Sequence, residues 1–236
     1  MKIAIVAFAL IVGGVTNVLA GEAAVEQIAP GDPFDWSGIH VGAHLGHGWS
    51  NTDFTDVDGW NVEGEVFGGN SNGFIGGVQA GYSFQSGSFV YGAEVELGYL
   101  GIDETFVQPS SPADSFASID GGFYAALTAR LGYAADRTLF FAKGGVAYLN
   151  ADVNFDDDCK NDGPCGIGLV NASGGNFTGW TLGAGVEHAL TDRWTARVEY
   201  AYYDFGTATA SSQDGWTRYD ADLTTHAVKV GLNYKF

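Results

Sequence analysis

Apolar and polar residues alternate with a period of two at the C-terminal end of the chain. One face of this segment carries mostly large apolar or aromatic residues, and the other carries small or polar residues. The first set comprises His226, Val228, Val230, Leu232, Tyr234 and Phe236, and the second comprises Ala227, Lys229, Gly231, Asn233 and Lys235. Because successive side chains of a β-strand point to opposite faces, the segment is predicted to be a strand with one apolar and one polar face.

The same alternation recurs in seven further segments, so the chain is predicted to form eight strands. Short connections at 85–88, 135–137 and 190–193 join three pairs of segments and predict three tight turns. The predicted strands lie within 36–49, 78–84, 91–99, 127–133, 140–148, 180–187, 193–202 and 226–236. The four remaining connections are long and cover 50–72, 101–121, 151–176 and 204–224. An even number of strands with alternating short and long connections is typical of an outer-membrane barrel.

Charged residues share a face with glycines in these strands, opposite the large apolar residues. A soluble lipocalin-like barrel also has eight strands, but it would place its apolar residues inward and its charges outward. We therefore predict an all-β fold, an eight-stranded antiparallel up-and-down transmembrane β-barrel with long extracellular loops. The charges predicted to face its lumen are Glu94, Glu96, Arg130, Lys143, Glu187, Arg197, Glu199 and Lys229.

These four acids and four bases are predicted to form a charge network inside the barrel. Glu94 or Glu96 is expected to face Arg130, and Glu187 is expected to face Arg197. Buried charges are costly unless they are paired, so a narrow polar barrel needs such a network simply to fill its lumen. A second interpretation is that the network gates a small conductance by exchanging partners. A permanently open pore is not expected, because eight strands leave an interior just wide enough for side chains.

Composition and charge fit a single exported β domain. The 236 residues include 36 glycines, with 14% aromatic and 16% charged residues, and their number lies within the range of one all-β domain. The net charge is −18, and the four long connections hold eighteen Asp or Glu residues against two cations, Lys160 and Arg218. This balance excludes nucleic acid as a partner and favours a host or envelope partner that contacts acidic loops.

The first twenty residues are predicted to be a cleaved signal peptide. Lys2 precedes an apolar run at 3–15, and the small residues Val18 and Ala20 precede the expected cleavage site. An uncleaved membrane helix is the alternative, but the run is shorter than the ~20 residues that a span needs. The predicted organisation is a signal peptide at 1–20, a leader at 21–35 and an outer-membrane barrel at 36–236.

Two cysteines, Cys159 and Cys165, lie in one of the acidic connections. In an exported protein such a pair favours a local disulfide. A zinc site is the competing interpretation, but no histidine lies nearby and two thiols are too few. The neighbouring acids at 156–158 lack the spaced ligands of a dedicated calcium loop, so we expect a solvated acidic tip and no bound metal.

Residues 34–49, FDWSGIHVGAHLGHGW, resemble the opening strand of the small outer-membrane β-barrel family of alphaproteobacteria. This family comprises surface-antigen and "porin family" proteins, which are opacity-protein-like eight-stranded barrels. Residues 228–236 are similar to the family's C-terminal strand, in which the final aromatic residue, here Phe236, is an assembly signal for the barrel-assembly machinery. One departure is His40, which stands where the family usually has Tyr, and His44 and His47 add further imidazoles. The resemblance implies an integral outer-membrane protein and a surface antigen, and in some members haem binding or pore formation.

His40 and His44 share the inner face of the first predicted strand. Four residues of strand separate them by roughly 13 Å, which is too far for one metal ion. A pH-sensitive lining or a haem contact is the alternative to a role as polar filling. The chain has no Ser-His-Asp motif in a strand-turn-helix context and no phosphate-binding glycine loop, so we expect neither catalysis nor a cofactor.

The sequence therefore predicts an outer-membrane barrel with a structural and surface-interaction role, in envelope integrity and as a surface antigen. A narrow or gated porin is one alternative, and a haem- or metal-binding surface receptor is another. The expected partners are outer-membrane lipid, lipopolysaccharide and the barrel-assembly machinery.

Overall fold

The computed structural model describes residues 33–110, 115–157, 175–211 and 217–236. In these residues the chain forms nine β-strands. The described residues contain no helix that is long and apolar enough to cross a membrane. The strands are β1 (Gly38–Asp56), β2 (Val66–Ser86), β3 (Phe89–Gly101), β4 (Asp103–Val107), β5 (Ser115–Ala135), β6 (Thr138–Asp157), β7 (Asn176–Ala189), β8 (Trp194–Ser211) and β9 (Arg218–Lys235).

The sheet closes on itself as an eight-stranded barrel, in which β3 and β4 count as one interrupted strand. All pairings are antiparallel and join strands that are neighbours in sequence, except that β3 pairs with β5 instead of β4 and that β9 pairs with β1. β3 and β4 occupy the same strand position of the barrel, because β3 pairs with the second half of β5 and β4 pairs with the first half. The predicted fold class is thus confirmed. In the membrane-spanning part every strand is paired on both sides, which is the condition for crossing hydrocarbon with strands.

Three tight turns lie at one end of the barrel, where the sequence predicts them. Two-residue turns join β2 to β3 and β5 to β6, since Ser86 pairs with Phe89 and Ala135 pairs with Thr138. Their first residues have positive φ, 60° at Gly87 and 51° at Asp136. This conformation suits the twist of a hairpin, and glycine and aspartate tolerate it. Short turns face the periplasm in outer-membrane barrels, so this end is the periplasmic end.

Apolar side chains cover the outer wall between two aromatic girdles. The extracellular girdle contains Trp49, Phe74, Tyr99, Phe123, Tyr148 and Trp180, and the periplasmic girdle contains Phe84, Phe89, Tyr91, Tyr133, Phe140, Trp194 and the half-buried Tyr234. On β1 the exposed wall runs from Ile39 to Trp49, which matches the ~9–11 residues that a tilted strand needs to cross a bilayer. This band is the membrane-spanning part of the barrel.

The strands continue beyond the extracellular girdle, so the four connections are shorter than predicted, although the one between β6 and β7 still spans 18 residues. β1, β2, β5 and β6 are 19–21 residues long. Above the girdle the alternation persists but is reversed, since Tyr219, Ala221 and Leu223 are buried whereas Asp222 faces outward. Outside the membrane a barrel wall contacts water, so apolar residues point inward there. Strands predicted from outward-facing apolar residues are therefore too short at their extracellular ends.

The first strand also begins later than predicted. β1 starts at Gly38 and not at Trp36. Gly38 has a φ of 116°, which few residues other than glycine adopt. At this point the chain leaves the wall, and the side chain of Trp36 is buried at the periplasmic end.

Candidate functional site

All eight charges predicted to face the lumen are buried inside the barrel. Alternate positions on one strand share a face, so Glu94 and Glu96 both point inward from β3, and Arg197 and Glu199 do so from β8. The other four residues come one each from β5, β6, β7 and β9. Each of the eight is at most 5% exposed: Glu94, Glu96, Arg130, Lys143, Glu187, Arg197, Glu199 and Lys229.

Six of these residues form one group at mid-height of the membrane-spanning part. We call it the central cluster, and it consists of Glu94, Glu96, Lys143, Arg197, Glu199 and Lys229. Three carboxylates face three cations, so the cluster is electrically balanced.

Each cation of the central cluster contacts more than one carboxylate. The ammonium group of Lys143 lies 3.0 Å from Glu94 and 3.0 Å from Glu199, and it also binds Glu96. Arg197 donates to Glu94 at 2.8 Å and to Glu96 at 3.2 Å. These shared contacts join β3, β6 and β8 across the lumen, so the side chains span the barrel interior.

Lys229 completes the central cluster from β9. Its ammonium group lies 2.9 Å from Glu96 and 3.0 Å from Glu199, and it donates to the hydroxyl of Tyr203 at 2.9 Å. The carboxylates of Glu94, Glu96 and Glu199 lie close enough together to surround a metal ion. The three cations of the cluster already balance their charge, so the donor set does not call for a divalent metal.

Arg130 and Glu187 pair with each other in a second group nearer the periplasm. We call this the lower cluster, formed by Arg130, Glu187, Thr195 and Asn233. Thr195 and Asn233 both donate to the Glu187 carboxylate, Asn233 at 2.8 Å. The Arg130 guanidinium also lies over the ring of Phe141, 4.0 Å from its centroid. The Glu187 carboxylate thus accepts from three donors. The Arg130 guanidinium contacts both a carboxylate and an aromatic ring.

Of the two charge pairs expected from the sequence, the one between Arg130 and Glu94 or Glu96 is wrong, whereas Glu187 does face Arg197 in the strand register but pairs with Arg130. Arg130 binds Glu187 and not Glu94 or Glu96. Glu187 lies opposite Arg197 in the strand register, yet Arg197 extends to the central cluster. Long side chains in a narrow lumen reach across it to other walls, so the register of adjacent strands does not determine which charges pair.

Further polar side chains extend the hydrogen bonding around both clusters. The side-chain oxygen of Gln79 accepts a hydrogen bond from Nδ1 of His44 at 2.7 Å, and the Gln79 amide nitrogen donates to Asn233 at 2.7 Å. His44 also lies 2.6 Å from the hydroxyl of Tyr124, and His40 lies 3.2 Å from Glu94. Both histidines are therefore occupied within the lumen network.

Sequence reasoning missed Gln79, Tyr124, Tyr203 and Asn233 as members of the network. Gln79 and Asn233 occupy inward positions of predicted strands, which is the available signal. Tyr124 and Tyr203 are fully buried. Both lie just outside the predicted strands 127–133 and 193–202, so the alternation there gives no signal for them.

An apolar layer fills the barrel above the central cluster. It contains, among others, Phe54, Phe67, Ile75, Leu100, Ile119, Leu149, Val153, Phe155, Phe177, Phe205 and Leu223. Aromatic rings pack directly across it, and the centroids of Phe54 and Phe155 lie 5.3 Å apart. We call it the upper layer. Among the described residues, charged and polar side chains thus occupy the lower levels of the lumen, and apolar side chains occupy the level above them.

A buried aspartate organises the first extracellular connection. The carboxylate of Asp56 accepts backbone N–H bonds from Gly59, Trp60, Asn61 and Val62, at 2.9–3.3 Å. One side chain therefore satisfies four consecutive backbone donors. The connection is folded onto the end of the barrel.

Among the described residues, the last predicted site residue is Phe236. Phe236 is 73% exposed beside Tyr234 on the outer wall, and its N–H donates to the carbonyl of Ile39. Its role as an assembly signal stays a prediction. Cys159 and Cys165, with their expected disulfide, lie outside the described residues, as does the expected signal peptide at 1–20.

A closed barrel with an apolar outer wall, two aromatic girdles and a buried ionic lumen defines an integral outer-membrane protein. Residues 18–236 match the family of the outer membrane protein beta-barrel domain, and the chain belongs to this family. It is located in the outer membrane.

Two relatives and one solved structure place the chain more closely. It is 31% identical over 229 residues to the 31 kDa outer-membrane immunogenic protein of Brucella melitensis biotype 1, covering 93% of this chain and 92% of the relative. It is 32% identical over 164 residues to the 22 kDa outer membrane protein of Rhizobium leguminosarum bv. viciae, covering 70% and 67%. The outer membrane protein OprG from Pseudomonas aeruginosa has a similar fold, with a TM-score of 0.55 at 13% identity over 85% of this chain and 97% of OprG.

Proposed function

We propose that the protein is a sealed, non-catalytic barrel that anchors an acidic surface outside the cell and contributes to envelope integrity. The observation that carries this proposal is the central cluster, in which six buried side chains from four strands span the lumen. The upper layer adds a second, apolar obstruction above it. A barrel filled at two levels is suited to anchoring rather than to transport.

The energetics of the central cluster disfavour the gated-porin alternative. Opening the lumen would require Lys143, Arg197 and Lys229 to leave carboxylates that they share. An unpaired buried charge costs about 3–5 kcal/mol, and several would be exposed at once. The upper layer would have to be displaced as well, which makes a gate built on partner exchange unfavourable.

The lumen also gives no support to the receptor and enzyme alternatives. His40 and His44 are buried and bonded to Glu94, Gln79 and Tyr124, so haem has no access to them. The clustered carboxylates are equally enclosed and paired with cations. A catalytic acid or base must reach a substrate proton, which these groups do not.

The outer wall above the girdle supports a role at the cell surface. Asp103 pairs in register with Asp120, and Asp120 pairs with Asp152, so three exposed aspartates lie side by side. No cation of the described residues forms an ion pair with them. Like charges in register repel, which favours a cationic partner. We assign this role to divalent cations that bridge the acids to lipopolysaccharide phosphates, and extend it to a basic host or envelope partner.

The family relationship supports surface display in a second way. The Brucella relative is named an outer-membrane immunogenic protein. By similarity, the extracellular connections of this chain are proposed to be accessible to antibodies. The exposed Phe236 is proposed to be the residue that the barrel-assembly machinery binds.

Liposome swelling tests the sealed barrel. Folded protein is incorporated into vesicles, which are then diluted into an isosmotic solution of a small sugar. The expected result is the swelling rate of protein-free vesicles, whereas a general porin in parallel vesicles gives rapid swelling. Sugar uptake above the protein-free rate would contradict a sealed barrel.

A substitution series tests the acidic surface. Asp103→Asn/Asp120→Asn/Asp152→Asn is expected to abolish the magnesium-dependent rise in thermal stability that lipopolysaccharide micelles give the parent protein. Asp136→Asn/Asp192→Asn, at the periplasmic turns, is the matched control and should keep it. An unchanged magnesium response in the triple variant would refute cation bridging at these acids.

A further inference from the structure

A short segment before β1 enters the periplasmic mouth of the barrel. Residues 33–37, which we call the strap, belong to no strand. Phe34 is 5% exposed and Trp36 is 6% exposed. They pack edge to face, 4.7 Å between ring centroids, within an apolar group that also holds Val90, Ala134, Leu139, Phe141 and Ala189. The two rings therefore fill the mouth from inside.

The strap is attached to the ends of several strands. The Trp36 N–H donates to the side chain of Gln85 at 2.7 Å, and the Phe34 N–H donates to the carbonyl of Asp136 at 3.2 Å. On the other side, the ammonium group of Lys235 binds the carbonyl of Asp35 and lies 5.0 Å from the centre of the Phe34 ring. These contacts fix the strap across the opening.

Directly inside the strap lies a small polar chamber. Its volume is about 20 Å³, and its lining includes Trp36, Ser83, Arg130, Glu187 and Thr195. The lower cluster therefore faces the strap without a thick protein layer between them. Were the strap absent, periplasmic water would reach the Arg130–Glu187 pair.

The strap's contacts differ in kind from those of the barrel wall. The wall is held by continuous strand pairing, whereas the strap has no ladder partner and is held mainly by side chains. Gly38, with its φ of 116°, separates it from β1. Segments with few backbone bonds open locally at a lower free energy than core strands. The strap is thus built to be separable from a barrel that stays folded.

We propose that the strap is a periplasmic stopper, which excludes periplasmic water and solutes from the lower cluster by seating Phe34 and Trp36 in the mouth. The lower cluster is thereby kept dry, and the Arg130–Glu187 attraction is strengthened by the low local dielectric. The stopper acts below the central cluster, so it is separate from the sealing proposed above.

Thiol accessibility tests the stopper. Ser83→Cys places a probe in the chamber, in a Cys159→Ser/Cys165→Ser background of the full-length folded protein, and a charged methanethiosulfonate is the reagent. Ser86→Cys, exposed at the adjacent turn, is the accessible reference. With the strap intact, we expect the Ser83→Cys thiol to react at least about tenfold more slowly than the reference, because reaction requires local opening.

Loosening the strap should then expose the probe. Phe34→Ala/Trp36→Ala is expected to raise the Ser83→Cys rate roughly tenfold or more, and Gln85→Ala, which removes the bond to Trp36, to raise it severalfold. Phe84→Ala/Phe89→Ala, two aromatic residues of the outer wall at the same end, is the matched control and should leave the rate unchanged.

Two results would overturn the stopper. One is rapid labelling of Ser83→Cys with the strap intact. The other is an unchanged slow rate in Gln85→Ala or Phe34→Ala/Trp36→Ala protein that retains heat-modifiable gel migration. Liposome swelling should stay absent in every strap variant, because the central cluster and the upper layer remain. Swelling by the unsubstituted protein would instead contradict the proposed function and leave the labelling result standing.

Discussion

Glu187 and Arg197 lie directly opposite each other on neighbouring strands, yet each binds a different partner. Glu187 pairs with Arg130 of β5, and Arg197 pairs with the carboxylates of the central cluster. Their separation divides the lumen charges into two clusters, each balanced by itself. Removing one member should therefore affect its own cluster first.

Glu187→Ala is expected to destabilise the barrel by about 3–5 kcal/mol, because it leaves the buried Arg130 guanidinium without its carboxylate. Arg130→Met/Glu187→Leu removes both charges and should recover much of this loss. Urea unfolding of the folded protein in detergent micelles measures both effects. Equal stability of Glu187→Ala and the parent protein would contradict the assigned pairing.

Apolar residues face inward above the girdle and outward below it, which predicts a contrast between two leucines. Leu223 is 1% exposed inside the upper layer, whereas Leu45 is 61% exposed on the lipid-facing wall. Leu223→Ala should cost about 2–5 kcal/mol through the cavity it leaves. Leu45→Ala should cost clearly less in the same unfolding experiment. The opposite order would mean that the upper strands do not face as described.

Asp56 is predicted to hold the first extracellular connection together. Asp56→Ala leaves four backbone N–H groups without their acceptor, so residues 59–62 should open more often. We expect faster chymotrypsin cleavage after Trp60 and faster amide exchange at these positions. Asp53→Ala, an outward-facing aspartate on the same strand, is the control and should change neither. Unaltered cleavage in Asp56→Ala would remove the assigned role.

The extracellular end also contains an ion pair with a defined pH response. Arg218 donates to both carboxylate oxygens of Asp58, at 2.9 Å each, and these hydrogen bonds lower the pKa of Asp58 from its usual value. The pair stabilises the folded state above the unfolded pKa of about 3.9, and this contribution is lost as the pH falls through the lowered value. In Arg218→Gln the Asp58 pKa should rise toward its usual value in a carboxyl NMR titration. Arg137→Gln, at the periplasmic end, should leave it unchanged.

The sequence predicted the membrane-spanning part well because two constraints act there together. Lipid requires apolar residues outside, and the narrow lumen requires small or polar residues inside, so β9 alternates clearly from His226 to Phe236. The identity of the inward charges followed from the same pattern. Above the membrane the first constraint disappears, so outward apolar residues no longer mark the strands there.

The pairing of the charges could not be derived from the sequence. Strand register identifies which residues are adjacent along the wall, as with Glu187 and Arg197. The partners actually bound depend on how far each side chain extends across the lumen, which is a property of the closed barrel. The strap was missed for a related reason, because nothing in the alternation distinguishes Trp36 inside the mouth from a first strand residue.

Single-channel recording in planar bilayers tests the central claim, a lumen closed by the central cluster and the upper layer. The account predicts no discrete conductance steps above the lipid background, at any applied voltage that the bilayer withstands. Reproducible steps whose amplitude or ion selectivity changes in Lys143→Met would show that ions pass through the central cluster, and would contradict the sealed barrel.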